Sequence, residues 1–350
     1  MTAQPFYPFS AVVGQEQVKI SLLLNAVDPQ LGGVLIIGPK GSGKSTLVRA
    51  LQEILPHIER VEGCQFNCNP GDATNLCPSC RDRLANKEKL RAEIVQMRMV
   101  ELPLSATEDG LLGTLDVEAA LSKGIKALKP GLLAEANQNV LYIDEVNLLP
   151  NHLVDCILDQ AASGWSVVQR EGVSLTHPAR FTLVASMNPE EGQLRPQILD
   201  RFALSARMVT IGDLEKRSCI VRRNLAFEND SVAFRKDYER EQVLLGERIM
   251  RARSALSSVK IPSEILKAVS ETCAKLRVDG FRPDLAVVKA ARALAAFEAK
   301  DVVAPEDVLR VAELALSHRT RQGGQEPAGR QSIEAIFRDT MFSRIPPQRT

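Results

Sequence analysis

Aromatic side chains are scarce in this sequence, with one Trp and three Tyr among 350 residues. Stacking on exposed bases needs such rings, so a platform for single-stranded nucleic acid has little material. Charge of one sign is equally lacking. There are 44 Lys and Arg against 43 Asp and Glu, a net charge of +1, which removes the global electrostatic case for nucleic acid or an anionic membrane surface. No apolar run approaches the ~20 residues that cross a bilayer. The N-terminus, Met1-Thr2-Ala3-Gln4-Pro5-Phe6, has neither the basic and apolar regions of a secretion signal nor the Arg and Ser richness of a transit peptide. The expectation is a cytoplasmic protein with neither nucleic acid nor membrane as a partner. In that compartment the seven cysteines are expected as thiols or metal ligands rather than structural disulfides.

What is present begins with Gly38-Pro39-Lys40-Gly41-Ser42-Gly43-Lys44-Ser45-Thr46, which fits G-x-x-x-x-G-K-[ST]. It follows the apolar, β-branched run Gly33-Val34-Leu35-Ile36-Ile37 and precedes Leu47-Val48-Arg49-Ala50-Leu51, which reads as a helix. Strand, glycine turn and helix start are the setting that makes this pattern a phosphate loop. Its glycines let successive N–H groups point inward at phosphate oxygens, and the helix N-terminus adds its positive end. Lys44 would reach the β- and γ-phosphates, and the Ser45 hydroxyl would ligate Mg²⁺. A bare glycine turn explains the stretch less well than a nucleoside triphosphate site does.

The rest of the chain arranges itself about that loop. Residues 16–25 read as an amphipathic helix, ended by Asp28-Pro29. Strands are expected within 95–104 and at 140–143, 181–185 and 208–211, with a hairpin at 167–175 turning at Glu171-Gly172. Helices are expected at 81–91, 115–121, 132–136 and 151–162. Beyond Gly212 only helical pattern remains, at 215–226, 239–258, 263–276, 282–298 and 305–318. A tail from Gly323 reads as flexible, with a short helix at 332–342. This order predicts an α/β core with a parallel sheet over residues 1–212, carrying a cysteine-rich insertion at 63–80. An all-helical domain over residues 213–350 would follow.

Asp144-Glu145 ends the run Val140-Leu141-Tyr142-Ile143, and the carboxyl ends of parallel strands are where ligands bind in open α/β sheets. Asp144 would hold Mg²⁺ through water, and Glu145 would take a proton from the attacking water. A helix-capping role for the acidic pair is the plainer reading. Asn188 closes another strand, where its amide, both donor and acceptor, would orient the lytic water. Arg201, beside Asp200, would either pair locally or reach a neighbouring γ-phosphate as an arginine finger, a role worth ~10³-fold or more in rate.

These composite motifs resemble those of a AAA+ ATPase. They are Val13-Gly14-Gln15, the phosphate loop, residues 141–149, Ser186-Met187-Asn188-Pro189-Glu190-Glu191-Gly192 and Leu194-Arg195-Pro196-Gln197-Ile198-Leu199-Asp200-Arg201-Phe202. The subgroup they resemble is the ATPase (I) subunit of magnesium chelatase, sharpened by residues 102–109, by Pro130-Gly131-Leu132-Leu133-Ala134 and by Val278-Asp279-Gly280-Phe281-Arg282. The resemblance runs from about Phe6 to Arg319. It implies a three-layer AAA+ core with a helical lid and ATP with Mg²⁺ as cofactors. It also implies a homo-oligomeric ring, hexameric in expectation, whose partners are the D and H chelatase subunits. Val13 and Gly14 would line the adenine pocket, Asn188 would be sensor 1, Arg201 the finger acting in trans, and Arg282 sensor 2 on the lid. Arg195 is a weaker candidate for an intersubunit contact. The work implied is driving Mg²⁺ insertion into protoporphyrin IX. A cobalt-chelatase-type subunit, a MoxR-like chaperone and a DNA-remodelling ATPase are the rivals, and a small-molecule kinase would leave Arg201 and Arg282 without purpose.

One feature departs from that pattern. Cys64, Cys68, Cys77 and Cys80 are spaced C-x3-C-x8-C-x2-C among turn residues. Close cysteine pairs on turns suit tetrahedral thiolate coordination, with Zn²⁺ first and an iron–sulfur cluster second. Four free or redox-active thiols are the plainer alternative. Cys156, Cys219 and Cys273 fall in helical pattern and read as small core residues. His57, His152, His177 and His318 read as surface or packing residues, and His318-Arg319-Thr320-Arg321 as a basic helix end.

Overall fold

A computed structural model describes residues 5–115, 128–170, 173–319 and 330–344. In chain order its strands are β1 (Val34–Ile37), β2 (His57–Val61), β3 (Ala92–Gln96), β4 (Met99–Leu102), β5 (Gly113–Leu115), β6 (Leu128–Pro130), β7 (Val140–Ile143), β8 (Trp165–Arg170), β9 (Val173–Pro178), β10 (Thr182–Met187) and β11 (Leu204–Arg207). The helices up to the last strand are α1 (Glu16–Val27), α2 (Lys44–Ala50), α3 (Pro78–Ala85), α4 (Glu108–Leu112), α5 (Leu132–Ala136), α6 (Asn151–Ser163) and α7 (Pro196–Leu199). Helices alone follow: α8 (Leu214–Asn229), α9 (Ser231–Ala255), α10 (Ser263–Lys275), α11 (Arg282–Phe297), α12 (Pro305–Leu316) and α13 (Arg330–Arg344).

Two compact units result. One is Leu55–Ala185, and the other joins Met1–Ile54 to Ser186–Thr350. The second thus takes chain from both ends, which a single cut near residue 212 does not describe. Within Leu55–Ala185, β7 is flanked by β4 and β10, all parallel, with Val140 opposite Met99 and Thr182. Within the other unit β11 runs parallel to β1, Val34 opposite Leu204. All residues of β1, β7 and β10 are buried, and strands covered on both faces are continuous apolar runs rather than alternating ones. Among the described residues the chain adopts the expected α/β architecture, with helices alone after the last strand.

Several local expectations shift. The last strand is β11, not 208–211. Leu204, Ser205 and Ala206 are buried along β1, whereas Val209 is 65% exposed and has its backbone bonded by a side chain, that of Gln15. The helix expected at 81–91 is α3, which starts at Pro78 and ends at Ala85. Lys87 then turns left-handed (φ 63°), and residues 92–96 become β3, zipped antiparallel to β2. The helix ends where Asn86 closes on the carbonyls of Asp82 and Leu84 and Lys87 turns away, before the ladder begins. Helix α9 begins at Ser231, eight residues before its periodicity is plain, because Asp230 caps it by accepting the N–H groups of Val232 and Ala233 at 3.0 and 2.9 Å. The predicted helix at 115–121, the turn Glu171-Gly172 and the tail from Gly323 fall mainly outside the described residues. β8 and β9 form the expected hairpin arms. Among the described residues no helix is long and apolar enough to cross a membrane.

Candidate functional site

The phosphate loop runs from the end of β1 into α2. Gly41 and Gly43 both have positive φ, 75° and 87°, and a side chain at either would meet nothing within 4 Å. The loop is therefore open on the side where a ligand would lie, and only glycine takes that backbone without strain. Lys44, 7% exposed, folds back so that its Nζ donates to the carbonyls of Gly38 and Pro39 at 2.7 and 2.9 Å. Ser42 Oγ donates to Pro39 O at 2.8 Å. The Lys44 and Ser42 side chains thus rest on the loop's own carbonyls, contacts for which a polyphosphate would compete. Pro39, Lys40 and Thr46 are exposed and Ser45 is half-buried at the start of α2. Gly38 acts differently from the other loop residues. Its N–H donates to Met187 O at 3.1 Å, and a Cβ there would come within 2.7 Å of Met208 Cβ. Its value is close approach of backbone, not an amide offered to phosphate.

That bond places the end of β10 beside the loop, and Asn188 is the next residue. Asn188 is 3% exposed, and its Oδ1 accepts the Glu190 N–H at 3.2 Å. Val13 and Gly14 precede α1, with Gly14 at φ 68° and so placed that a Cβ there would come within 3.1 Å of Ile211 Cδ1. Gln15, which the motif reading left without a role, clamps this turn. Its Nε2 donates to Val209 O at 2.7 Å and its Oε1 accepts the Val209 N–H at 3.0 Å. A glutamine inside a matched motif was the available signal.

Arg201 and Arg282 belong to the same unit as the loop. The Asp200 carboxylate, expected as the local partner of Arg201, faces Arg282 Nη1 and Arg319 Nε, each at 3.4 Å. Arg319 Nη2 also donates to the carbonyls of Asp200 and Phe202 at 2.8 and 2.7 Å, and His318 Nε2 donates to Phe202 O at 2.9 Å. The backbone on both sides of Arg201 is thus held from beyond α12. Burial pulls Arg319 down to about 10, and burial followed by the Arg319 charge pulls His318 down to about 3. His318 is a packing residue as expected, and Arg319 donates from Nη1 to Ala315 O in the last turn of α12 at 3.4 Å, as a helix-end charge would, while also anchoring the backbone around Arg201. Nothing in its sequence neighbourhood marked that second role, because Asp200 and Phe202 lie more than a hundred residues away.

In the other unit Asp144 and Glu145 follow β7. Tyr142 Oη donates to Asp144 Oδ1 at 2.8 Å. Glu145 has a left-handed backbone, φ 55°, before a short 3-10 turn (Val146–Leu148). A non-glycine residue in that region is strained and typical of functional turns. The plainer capping reading does not hold for Glu145, whose side chain makes no cap bond to that turn.

The same unit contains the cysteine centre. The four Sγ atoms of Cys64, Cys68, Cys77 and Cys80 all lie within 4.8 Å of one another, the last three buried. Cys77 caps α3, and Cys80 lies in its first turn. Sulfhydryl donation from Cys68 and Cys77 pulls Cys64 down to about 2, while those bonds and burial push Cys68 up. Cys80 is pushed up to about 12 by burial and by the Cys64 charge. Asn137, fully buried, donates to Phe66 O, Asn67 O and Asn75 Oδ1 at 2.8, 3.0 and 2.9 Å. Among the described residues no histidine joins this group.

Comparison with known proteins agrees with this geometry. A family model described as magnesium chelatase, subunit ChlI, matches residues 8–71 and 113–199, and a AAA lid domain model matches 266–340. A magnesium-chelatase subunit ChlI homolog of Methanocaldococcus jannaschii is 50% identical over 93% of this chain and 89% of its own. The magnesium-chelatase subunit ChlI of Mesostigma viride is 49% identical over 91% and 89%. A cryo-EM-based complex of BchI and BchD of magnesium chelatase contains a chain 46% identical, covering 91% of this one and 97% of that one, with TM-score 0.53. A crystal structure from Cytophaga hutchinsonii, 20% identical with TM-score 0.61, bears on the fold alone.

Proposed function

The chain belongs to the family of magnesium chelatase subunit ChlI, and on that premise we propose that it is the ATP-hydrolysing AAA+ motor of a complex that drives Mg²⁺ insertion into protoporphyrin IX. The observation that carries this reading is the Gly38–Met187 bond, which seats Asn188 at the phosphate loop. Lys44 and the amides of residues 40–46 cradle the triphosphate, with Val13 and Gly14 beside the base. Ser45, and Asp144 through water, would hold Mg²⁺, which would supply charge neutralisation of the phosphates. Glu145 takes the proton of the attacking water, and Asn188 orients that water. Arg201 acts on the nucleotide of a neighbouring subunit, and Arg282 couples the lid to the γ-phosphate. Exposed Phe281 and Leu285, 84% and 58% accessible on either side of Arg282, support a homo-oligomeric ring that would cover them. We take that ring as hexameric and its partners as D- and H-type subunits. We take its setting as cytoplasmic. The cysteine quartet stands apart from the nucleotide chemistry and is taken as a structural metal site.

The test is ATP-dependent Mg²⁺ insertion followed by porphyrin fluorescence, with D and H subunits present and Lys44→Ala as control. Product that depends on Lys44 upholds the reading. Hydrolysis without insertion would move a cobalt-chelatase-type subunit or a MoxR-like chaperone ahead of it. For the finger, Arg201→Ala is expected to bind nucleotide without turning it over, and mixing it with Glu145→Gln subunits is expected to restore part of the turnover through hybrid interfaces. Normal hydrolysis by Arg201→Ala alone would remove Arg201 from the mechanism.

A further inference from the structure

Four thiols brought together in a protein interior need a reason. The Cys64–Cys77 and Cys80–Cys64 sulfur separations are 3.9 and 3.6 Å, and none of the four cysteines is in a disulfide. A disulfide would bring two sulfurs to ~2.05 Å. Four sulfurs at ~2.3 Å from one tetrahedral ion lie about 3.8 Å from each other, the edge of that tetrahedron. The observed separations match this edge, and the 4.8 Å ceiling holds for all four atoms. A four-iron cluster sets each cysteine on a different iron at the corner of a cube, which spreads the sulfurs beyond such a ceiling.

The surroundings suit thiolates. The Cys77 N–H points at Cys68 Sγ at 3.0 Å and the Phe66 N–H at Cys64 Sγ at 3.4 Å. Helix α3 turns its N-terminal end toward Cys77 and Cys80, and that end favours negative charge. Three of the four side chains are buried, so uncompensated thiolate charge would be costly and a cation removes the cost. With four protein ligands no position remains for water or substrate, which marks a structural rather than a catalytic centre.

We propose that Cys64, Cys68, Cys77 and Cys80 bind one Zn²⁺ ion per chain in a closed tetrathiolate centre, which holds the loop at 64–80 rigid against residues 135–139 leading into β7. The connection to β7 is direct. Asn137 binds the carbonyls of Phe66 and Asn67, and Gln138 Nε2 donates to Asn67 O at 2.8 Å. Asn67 Nδ2 returns a bond to Glu135 O at 2.9 Å. From the far side of the loop, the Arg180 guanidinium binds Asp72 at 2.8 Å and Thr74 O at 3.2 Å, while its backbone N–H donates to Asn137 Oδ1 at 3.0 Å. Binding displaces the remaining thiol protons to solvent, so affinity falls as pH drops.

Trp165 reports on this centre. It is the sole tryptophan, and the Arg81 guanidinium of α3 sits 4.9 Å over its ring. The full-length chain, prepared with zinc in the growth medium and no chelator, is expected to contain about one zinc per chain by elemental analysis. Titration of the thiols with a mercurial should release it and shift the Trp165 emission. Exchange for Co²⁺ should give the visible bands of a tetrahedral cobalt thiolate. Cys64→Ser/Cys77→Ser should lose the zinc, and Cys273→Ser, altered in α10, should keep it. Zinc-free protein with freely titrating thiols, the spectrum of iron in place of zinc, or full zinc retention by the double variant would each overturn the proposal. If the double variant does not fold, the stoichiometry and cobalt spectrum of the unaltered chain still decide. None of these readouts uses ATP hydrolysis, so their failure leaves the motor reading standing, and the reverse holds.

Discussion

The phosphate loop and the cysteine loop are both turns that open a short helix, and they handle polar groups in opposite ways. Gly43 starts α2 with a left-handed backbone beside open space, and Lys44 and Ser42 turn back on the loop's own carbonyls. Cys77 starts α3 in extended conformation inside a closed shell, with Asn67, Asn75 and Asn137 bonded across it. The first arrangement costs little to rearrange, because its side-chain bonds lie at an open loop where water or a ligand oxygen can take their place. The second offers no exchange, because a buried group that loses its partner stays unsatisfied. One loop suits turnover and the other permanence.

The strongest expected effect on stability lies in the closed loop. Asn137→Ala removes the donor to two backbone carbonyls and the acceptor for the Arg180 N–H. At least one of these groups would remain buried and unpaired, for a loss of about 3 kcal/mol. Urea unfolding would read that loss, together with a lowered zinc content. A change under ~0.5 kcal/mol would mean that the loop is as adaptable as the phosphate loop, and the contrast would fail.

How much of each loop was legible follows from the same contrast. A phosphate cradle is made by contiguous backbone, so Gly41, Gly43 and Lys44 announce it locally. Gly38 could be named but not understood, since its partner Met187 comes from another strand. The four cysteines announced a ligand set by type and spacing. Their scaffold was hidden, because Asn137 reaches them from 62 to 71 residues away. The long-range role of Arg319 was hidden for the same reason, and α3 was overextended because residues 86–91 hold no Gly or Pro to mark the left-handed turn at Lys87. The role proposed for Arg282 comes from the composite motifs alone, whereas Asn188 and Arg201 already drew a reading from a strand end and from the neighbouring Asp200.

The nucleotide side also has a fixed part, beneath its movable one. His318 donates to Phe202 O and is held neutral by burial and by Arg319, with its folded-state value near 3. The unfolded chain takes up that proton near the ordinary ~6.5, so the unfolded state binds more protons between these values. The neutral histidine's contribution is fully present above about pH 6.5 and is lost as pH falls through that window toward 3. Between pH 7 and pH 5 the loss is about 2 kcal/mol. Denaturation of the unaltered chain and of His318→Asn at both pH values would measure it. Equal pH slopes for the two would show that the anchor under Arg201 is not sealed from solvent, which would erase the distinction between fixed and movable parts.

The smallest expected stability change belongs to the part proposed to move. The Arg282–Asp200 pair spans 3.4 Å, with side chains 59% and 39% exposed. Solvent screens such a pair, so Arg282→Ala is expected to change unfolding free energy by less than about 0.5 kcal/mol. The same substitution is expected to lower ATP hydrolysis by ~10²-fold or more, because a cation aimed at developing phosphate charge acts in the transition state and not in the resting fold. Nucleotide affinity and turnover measured side by side with urea unfolding would separate the two effects. A large stability loss would place Arg282 with Arg319 among the fixed anchors. Unchanged turnover would leave its exposure beside Asp200 without a catalytic purpose. Only a stable variant with impaired turnover matches a residue that rests on Asp200 between turnovers and leaves it for the nucleotide.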